Sequence, residues 1–201
     1  PEPISMPAPK EGTVFSLTGE YAFSGSGDVK QFVHDSTLEL ATGTVALAFN
    51  ADGLGGRQGL LVKDASGTGD HFAAYLENDT LNVRFQNGSE EKILSAGGIE
   101  AGRDYVVHVT FGEGTVAVLL DGVEVDRASF AGDLSANTEV MQVGGLGWAS
   151  ASGEAGFGDP FGGTISDVVM LGDRPGYDAV EAIRTDAVAP APEPEPEPEP
   201  E

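Results

Sequence analysis

Residues 103–125 read RDYVVHVTFGEGTVAVLLDGVEV, and this stretch decides the fold. It contains three runs rich in Val and Leu, separated by Gly112-Glu113-Gly114 and by Asp121-Gly122. An Asp-Gly pair between apolar runs is a strong signal for a tight hairpin, because both turn residues need φ > 0, which Asp tolerates and Gly adopts without strain. The stretch therefore predicts an antiparallel meander of three strands.

Similar short runs recur along the rest of the chain. Several alternate apolar and polar side chains with a period of two, which is typical of a strand with one buried face. We predict strands at 13–17, 29–33, 44–50, 58–63, 72–77, 81–86, 91–94, 139–143 and 163–171, and one helix at 177–185. Many short strands with glycine-rich turns predict an all-β, two-sheet antiparallel jelly-roll sandwich with one short C-terminal helix.

The two ends differ in composition from the region between them. Residues 1–10 carry four prolines, and residues 187–201 end in a strict Glu-Pro alternation that favours extended polyproline II. We therefore predict a Pro-rich linker at 1–10, one domain at 11–186 and an acidic Glu-Pro linker at 187–201. With linkers at both ends, we expect the chain to be one module of a longer polypeptide.

The charge of the chain excludes some partners. The 201 residues carry a formal net charge of −23, and five of the negative charges lie in the Glu-Pro tail. An acidic surface repels nucleic acid and anionic membranes, so we expect neither as a partner. The chain has no cysteine, which excludes disulfides and thiolate sites, and it has no apolar run long enough for membrane insertion.

The order of the sequence motifs resembles the laminin G-like, concanavalin A-like lectin-glucanase superfamily, in the form found in bacterial modular exoproteins. The resemblance spans about residues 12–172. Its motifs are YAFSGSGDVKQFVHDSTLEL (21–40), GTVALAFNAD (43–52), GLLVKDASGTGDHFAAYLENDTLNVRFQ (59–86), the 103–125 meander, MQVGG (141–145) and FGGTISDVVMLGDRPG (161–176). The resemblance implies the sandwich fold; it does not identify a ligand, because this superfamily hosts many functions.

Members of this superfamily include glycan hydrolases and lyases, so an enzyme is one alternative. The hydrolases typically carry Glu-x-Asp-x-x-Glu on a concave strand, and this sequence has no such run. Lyases of this fold use Arg, Gln, His and Tyr, and the right residue types occur at Arg84, Gln86, His108 and Tyr105 without the family's local motifs. We expect His108 to face solvent or to be satisfied by its neighbours, and we predict no catalytic residues.

The resemblance also implies a calcium site, because members of the superfamily often hold one Ca²⁺ with one or two aspartates and backbone carbonyls. Asp28 matches the recurrent aspartate of the opening motif, and Asp167 lies on the last strand, which neighbours the first in this fold. We expect these two carboxylates to form the metal site. A second candidate group lies in glycine-rich turns and consists of Asp52, Asp64, Asp70 and Asp159.

Sugar recognition usually needs an aromatic plane and polar groups that bond hydroxyls. The tryptophan, Trp148, lies in a loop of about twenty residues at 144–163, together with Glu154 and Asp159. We predict these three as ligand-binding residues, with Arg57 and Asp70 in other loops. The alternative for Trp148 is a buried position that caps the core.

These observations predict a non-catalytic module that binds a carbohydrate or an extracellular partner, stabilised by Ca²⁺. The alternatives are a spacer or adhesion domain without a small ligand, and a polysaccharide lyase or glycoside hydrolase of the same fold. We expect a monomeric module of a secreted or cell-surface bacterial protein, with adjacent domains of the parent chain as further partners.

Overall fold

The computed structural model describes residues 3–64, 70–88, 90–146 and 158–186. Over these ranges the chain forms two antiparallel sheets of six strands each and one short helix, α1, at Tyr177–Arg184. The strands are β1 Phe15–Ser24, β2 Lys30–Phe32, β3 Gly43–Ala51, β4 Arg57–Lys63, β5 Asp70–Glu77, β6 Thr80–Asn87, β7 Glu90–Gly97, β8 Asp104–Gly112, β9 Thr115–Leu120, β10 Val123–Ser129, β11 Met141–Val143 and β12 Gly162–Leu171. The predicted two-sheet sandwich with a C-terminal helix is confirmed.

The two sheets have different strand orders. Sheet I has the order β1-β12-β3-β8-β9-β10, and sheet II has the order β2-β11-β4-β5-β6-β7. In sheet I the first strand pairs with the last, with a register that runs from Phe15↔Met170 to Ser24↔Gly162. The expected neighbourhood of the first and last strands is therefore confirmed.

The 103–125 meander forms β8, β9 and β10 as predicted. At the second turn Asp121 has φ 50° and Gly122 has φ 80°, so both turn residues adopt the left-handed region that this turn needs. At the first turn a Cβ on Gly112 would lie 2.7 Å from Thr42, so the close approach of the two chain segments requires glycine there. Local turn chemistry thus sets the register of half of sheet I.

Strand β1 is longer than the predicted segment 13–17. The strand continues past Gly19, which has φ 91° and marks a shift of register between Leu17 and Glu20 against β12. The backbone N–H of Gly19 donates to Asp167 Oδ1 at 2.8 Å, which satisfies a group that the bulge removes from the ladder. A bulge of this kind explains why the polar sequence after Leu17 does not end the strand.

The core lies between the sheets and joins them through aromatic rings. Phe85 of β6 in sheet II packs against Phe111 of β8 in sheet I, with ring centroids 5.6 Å apart. Phe72 and Phe130 contact the same Phe85 ring at 5.2 Å and 5.8 Å. The four rings are buried, so they contribute apolar area and edge contacts at the centre of the sandwich.

Helix α1 covers part of the outer face of sheet I. Val180 packs in a small cluster with Ala46, Val169 and Leu171. His108 of β8 is buried beneath the helix, with its Nε2 2.7 Å from Glu181 Oε1 and its ring stacked on Tyr177. The imidazole is satisfied by its neighbours, which was one of the two expected outcomes for His108.

Part of the predicted N-terminal linker contacts the domain. Ile4 extends the edge of sheet II beside β2: its N–H donates to Gln31 O at 2.8 Å, and its carbonyl accepts from Val33 N at 2.9 Å. Met6 packs against the core, and Lys10 Nζ lies 2.9 Å from Asp186 Oδ2 after α1. The segment before residue 11 is therefore attached to the sandwich at several points.

Candidate functional site

An open pocket of about 530 Å³ lies at one end of the sandwich, where several strands begin or end. Its wall comes from four segments: the turn after β1, the β3–β4 loop with the start of β4, the residues before β12, and the start of β12 itself. The lining residues are Gly25, Gly53, Gly55, Gly56, Arg57, Gln58, Asp159, Pro160 and Gly162. Five of the nine are glycines, so backbone and open space make up much of the wall.

Gln58 connects two of the segments that line the pocket, the β3–β4 loop and the start of β12. Its side chain is buried; the amide Nε2 donates to Gly53 O at 2.8 Å, and Oε1 accepts from Gly162 N at 3.1 Å. Both ends of the amide are thus used within the protein, which fixes the β3–β4 loop against the start of β12. The sequence patterns did not point to Gln58, because its partners are 5 and 104 residues away.

Arg57 and Asp159 form an ion pair on the pocket wall. Arg57 Nε donates to Asp159 Oδ2 at 2.7 Å, and the side chains are 51% and 34% exposed. This hydrogen bond raises the pKa of the Arg57 guanidinium above its usual value. Two residues that the sequence predicts as ligand contacts therefore lie together, although 102 positions separate them.

Asp159 has an unusual backbone conformation. Its φ is 41°, in the left-handed region that non-glycine residues rarely adopt. Its carbonyl accepts from Gly59 N at 2.9 Å, and its carboxylate accepts from Arg57. The main chain and the side chain of Asp159 therefore both bind β4. Such strain persists where surrounding contacts determine it, and it occurs often at functional sites.

The predicted ligand loop leaves and re-enters the described structure beside this pocket. Leu146 and Gly158 form an antiparallel bridge, with two N–O distances of 3.1 Å. A Cβ on Gly59 would lie 2.1 Å from Gly145 C, so the chain crosses β4 at a point where only glycine fits. Trp148 and Glu154 lie outside the described residues, and their ligand-binding role stays a prediction.

Asp70 lies away from the pocket. It is buried, and its Oδ2 accepts from Ala136 N at 3.0 Å while its carbonyl accepts from the Asn137 amide. Both oxygens hold the 136–137 turn against the start of β5. This position gives no support to the ligand-binding role that the sequence predicts for Asp70.

Asp28 and Asp167, the predicted calcium pair, occupy separate places. Asp28 is exposed and accepts from Ser24 N at 2.8 Å; burial opposes its ionisation, but the hydrogen bonds from Ser24 outweigh that and lower its pKa. Asp167 binds Gly19 at the β1 bulge. Since Ser24 pairs with Gly162, five positions from Asp167 on β12, the two sites are about 16 Å apart along the strand.

The structure therefore does not bring these two carboxylates into one site. Within the parts of the chain that the structure describes, no group of three or more His, Asp or Glu side chains could hold a metal ion. Adjacent strands place residues at the same level only where their register does so, and calcium binding by either aspartate stays a prediction. The register here separates Asp28 from Asp167.

Asp64, from the second candidate group, belongs to a buried charge network on sheet II that the sequence did not indicate. His71 Nδ1 lies 2.8 Å from its Oδ1, and Arg84 Nη1 lies 2.8 Å from its Oδ2. Burial raises the pKa of Asp64, and Arg84 and His71 oppose that change. The network pairs its own charges, so we assign it a structural role.

The fold and this rim pocket define a laminin G-like sandwich with a polar cleft at one end. The family model of the concanavalin A-like lectin/glucanases superfamily, in its laminin G form, matches residues 24–174. The chain therefore belongs to this superfamily, as its motifs predict. No curated protein matches the sequence significantly.

Solved structures with the same fold include binding modules. The CBM40 module of the Ruminococcus gnavus IT-sialidase, bound to α2,3-sialyllactose, is 19% identical, with a TM-score of 0.65 over 86% of this chain and 99% of that one. The SAP-like pentraxin of Limulus polyphemus is 18% identical, with a TM-score of 0.61 over 82% and 81%. Domains LG4-5 of the mouse laminin α1 chain are 17% identical, with a TM-score of 0.60 over 78% of this chain and 41% of that one. At these identities the likeness shows the fold. In the described parts of the chain, no helix is long and apolar enough to cross a membrane.

Proposed function

We propose that this protein is a non-catalytic carbohydrate-binding module and that the pocket beside Arg57 and Asp159 holds the sugar. The observation that carries the proposal is the Arg57–Asp159 pair itself. It sits half-exposed on the wall of an open pocket and is fixed at 2.7 Å by a charged hydrogen bond. A donor and an acceptor held side by side suit the hydroxyl groups of a sugar, each of which donates and accepts.

The shape of the pocket agrees with this chemistry. Sugars need an accessible surface with a few well-placed polar groups. A Cβ added at Gly53, Gly55 or Gly56 would meet no atom within 4 Å, so the rim is open on the side of the β3–β4 loop. The base of the pocket does not compete for the ligand, because Gln58 is already bonded at both ends.

The carboxylate count favours binding over hydrolysis. Glycoside hydrolysis generally uses two carboxylates that flank the scissile bond. Among the lining residues that the structure describes, Asp159 is the one carboxylate, and Arg57 already neutralises it. The structural neighbours support the same conclusion, since the Ruminococcus gnavus module is bound to sialyllactose.

Three further expectations belong to this proposal. Trp148 and Glu154 follow Leu146 by two and eight positions, and we propose them as additional sugar contacts. We propose that the parent protein is secreted or exposed at a cell surface, where the module raises the local concentration of neighbouring domains at a glycan. Calcium binding is a separate prediction: if it occurs, millimolar Ca²⁺ raises the melting temperature and EDTA reverses the rise.

A glycan array probed with the full chain, with and without EDTA, tests the function. Binding in both conditions supports a calcium-independent module, and binding lost in EDTA supports the calcium prediction as well. An amide NMR titration with a bound glycan then locates the site: we expect the largest shifts at 53–58 and 158–162. An array without any bound glycan in either condition would overturn the proposal and favour the spacer alternative.

A further inference from the structure

The charge of the proposed pocket points to one class of sugar. On the condition that the pocket binds a glycan, we propose that it selects neutral, hydroxyl-rich sugars and discriminates against sugars that carry a carboxylate at the contact point. Three observations on the described residues carry this inference: the charges around Arg57, the pairing of every other cation, and the groups of the ion pair that remain available.

The positive charge of Arg57 is already balanced. Asp159 holds its Nε at 2.7 Å, and Glu77 is its register partner across the β4–β5 ladder. Both carboxylates act on the guanidinium, since each contributes to the raised pKa of Arg57. Asp52, which is exposed, precedes the lining residue Gly53. A ligand carboxylate would join an arginine that already has two negative neighbours, so repulsion would offset much of its attraction.

No other cation is available to replace Arg57. All ten Lys and Arg residues lie in the described ranges, and each has an anionic, aromatic or carbonyl partner there. The pairs are Lys10–Asp186, Lys30 over the Tyr21 ring, Arg57–Asp159, Lys63 to the Glu139 carbonyl, Arg84–Asp64, Lys92–Glu90, Arg103–Asp121, Arg127–Glu124, Arg174–Glu113 and Arg184–Glu181. With a net charge of −23, the field at the pocket opposes an approaching anion.

The unused groups of the pair match hydroxyls better than a carboxylate. Arg57 uses Nε and Asp159 uses Oδ2, while Arg57 Nη1, Arg57 Nη2 and Asp159 Oδ1 have no hydrogen-bond partner among the described residues. Two adjacent hydroxyls can accept from the guanidinium and donate to the carboxylate at once. A carboxylate only accepts, so it would leave Asp159 Oδ1 without a donor and place two anions side by side.

The proposed selectivity distinguishes the chain from its structural neighbour with sialyllactose, because sialic acid carries a carboxylate. The two chains are 19% identical and share the fold. The proposed selectivity therefore rests on the charges of this chain alone. The expected ligands are neutral oligosaccharides with adjacent free hydroxyls.

Matched pairs of glycans test the inference. Each neutral oligosaccharide on the array is paired with a counterpart whose terminal hexose is oxidised at C6 to a uronic acid, and lactose is paired with α2,3-sialyllactose. We expect the neutral member of a bound pair to bind about tenfold more tightly, in line with like charges at short range near a protein surface. Equal or tighter binding of the acidic member would overturn the inference and leave the proposed function intact.

A charge-neutral variant sharpens the test. Asp159→Asn keeps the shape of the pocket and leaves the positive charge of Arg57 without its ion-pair partner. We therefore expect the acidic glycan of each matched pair to gain affinity relative to the neutral one. Glu124→Gln is the control, since Glu124 makes a similarly exposed pair with Arg127 on β10 and its removal changes the net charge equally. An unchanged preference in Asp159→Asn, or the same shift in Glu124→Gln, would contradict a local origin of the selectivity. Absence of binding to both members of every pair would count against the proposed function and the inference together.

Discussion

Two arginine–aspartate pairs in this molecule look alike and have different surroundings. Arg57–Asp159 is 51% and 34% exposed, and Arg103–Asp121 is 55% and 39% exposed. Asp121 also accepts from Val106 N at 2.9 Å, so its pair closes the second turn of the meander. The Arg57 pair instead joins distant segments on the wall of a pocket. Exposure and charge alone do not separate a structural pair from a candidate site; the neighbouring backbone does.

The largest expected effect concerns the close backbone contact between Gly59 of β4 and Gly145, next to the Arg57–Asp159 pair. In Gly59→Ala the new Cβ would lie 2.1 Å from Gly145 C and 2.2 Å from Leu146 N. These are backbone atoms on both sides of the contact, so the clash cannot be relieved by rotating a side chain. We expect a loss of about 3 kcal/mol in the free energy of unfolding, because overpacking against backbone costs about 1–3 kcal/mol or more. Urea denaturation measures it.

Gly53→Ala is the matched control for Gly59→Ala. Gly53 lies on the pocket rim, and a Cβ there meets nothing within 4 Å. We expect a change below about 0.5 kcal/mol, as for most surface substitutions. Equal stability losses in the two variants would show that the crossing of the chain over β4 is not tight.

A third ion pair, formed by Glu181 of α1 with Arg184 and His108, extends the comparison to a less exposed site. Burial opposes ionisation of Glu181, but hydrogen bonds from Arg184 and His108 outweigh it and lower its pKa to about 2. A carboxyl whose folded-state pKa is depressed stabilises the fold above its unfolded-state pKa, near 4.5. That contribution is lost as the pH falls from about 4.5 towards 2.

Glu181→Gln tests this assignment. We expect it to lower the free energy of unfolding by about 2 kcal/mol at pH 7, with a difference that shrinks as the pH approaches 2. The exposed pair provides the contrast: Glu124→Gln should leave the free energy of unfolding nearly unchanged at any pH, because solvent screens its charge. A pH-independent loss in Glu181→Gln would mean that packing, and not ionisation, accounts for the effect.

A smaller effect is expected at the N-terminal edge. Removal of residues 1–9 takes away the two backbone hydrogen bonds of Ile4 and the contact of Met6 with the core. We expect a loss of about 1–2 kcal/mol, from two hydrogen bonds worth about 0.5 kcal/mol each at this exposed edge and from partial apolar burial. Thermal denaturation of the shortened and full chains measures it, and identical melting temperatures would support the linker predicted from the sequence.

Sequence reasoning predicted the parts of the fold that depend on neighbours along the chain. The turn at Asp121-Gly122 and the strands around it follow from local chemistry, and so does the helix beginning at Tyr177. The bulge at Gly19 was not predictable, since it is satisfied by Asp167, 148 residues away.

The candidate site was predictable only in its residue types. Arg57 and Asp159 were selected as polar loop residues, but their pairing depends on the fold and not on spacing. The same reasoning selected Asp70, whose carboxylate turned out to be occupied by a backbone N–H, and it paired Asp28 with Asp167, which the strand register keeps apart. Side-chain chemistry can be read from a sequence, whereas the register that brings two side chains together requires the structure.

The most direct measurement compares Arg57→Ala with Arg103→Ala by titration calorimetry against a glycan that the array identifies. Each variant removes one cation from a pair of similar exposure, and we expect each to cost less than about 1 kcal/mol of stability. We predict at least a roughly tenfold loss of affinity in Arg57→Ala, as for a charged hydrogen bond worth about 1.5 kcal/mol or more, and an unchanged affinity in Arg103→Ala. Equal affinities in the two variants, with both proteins folded, would contradict the assignment of the pocket beside Arg57 and Asp159 as the binding site.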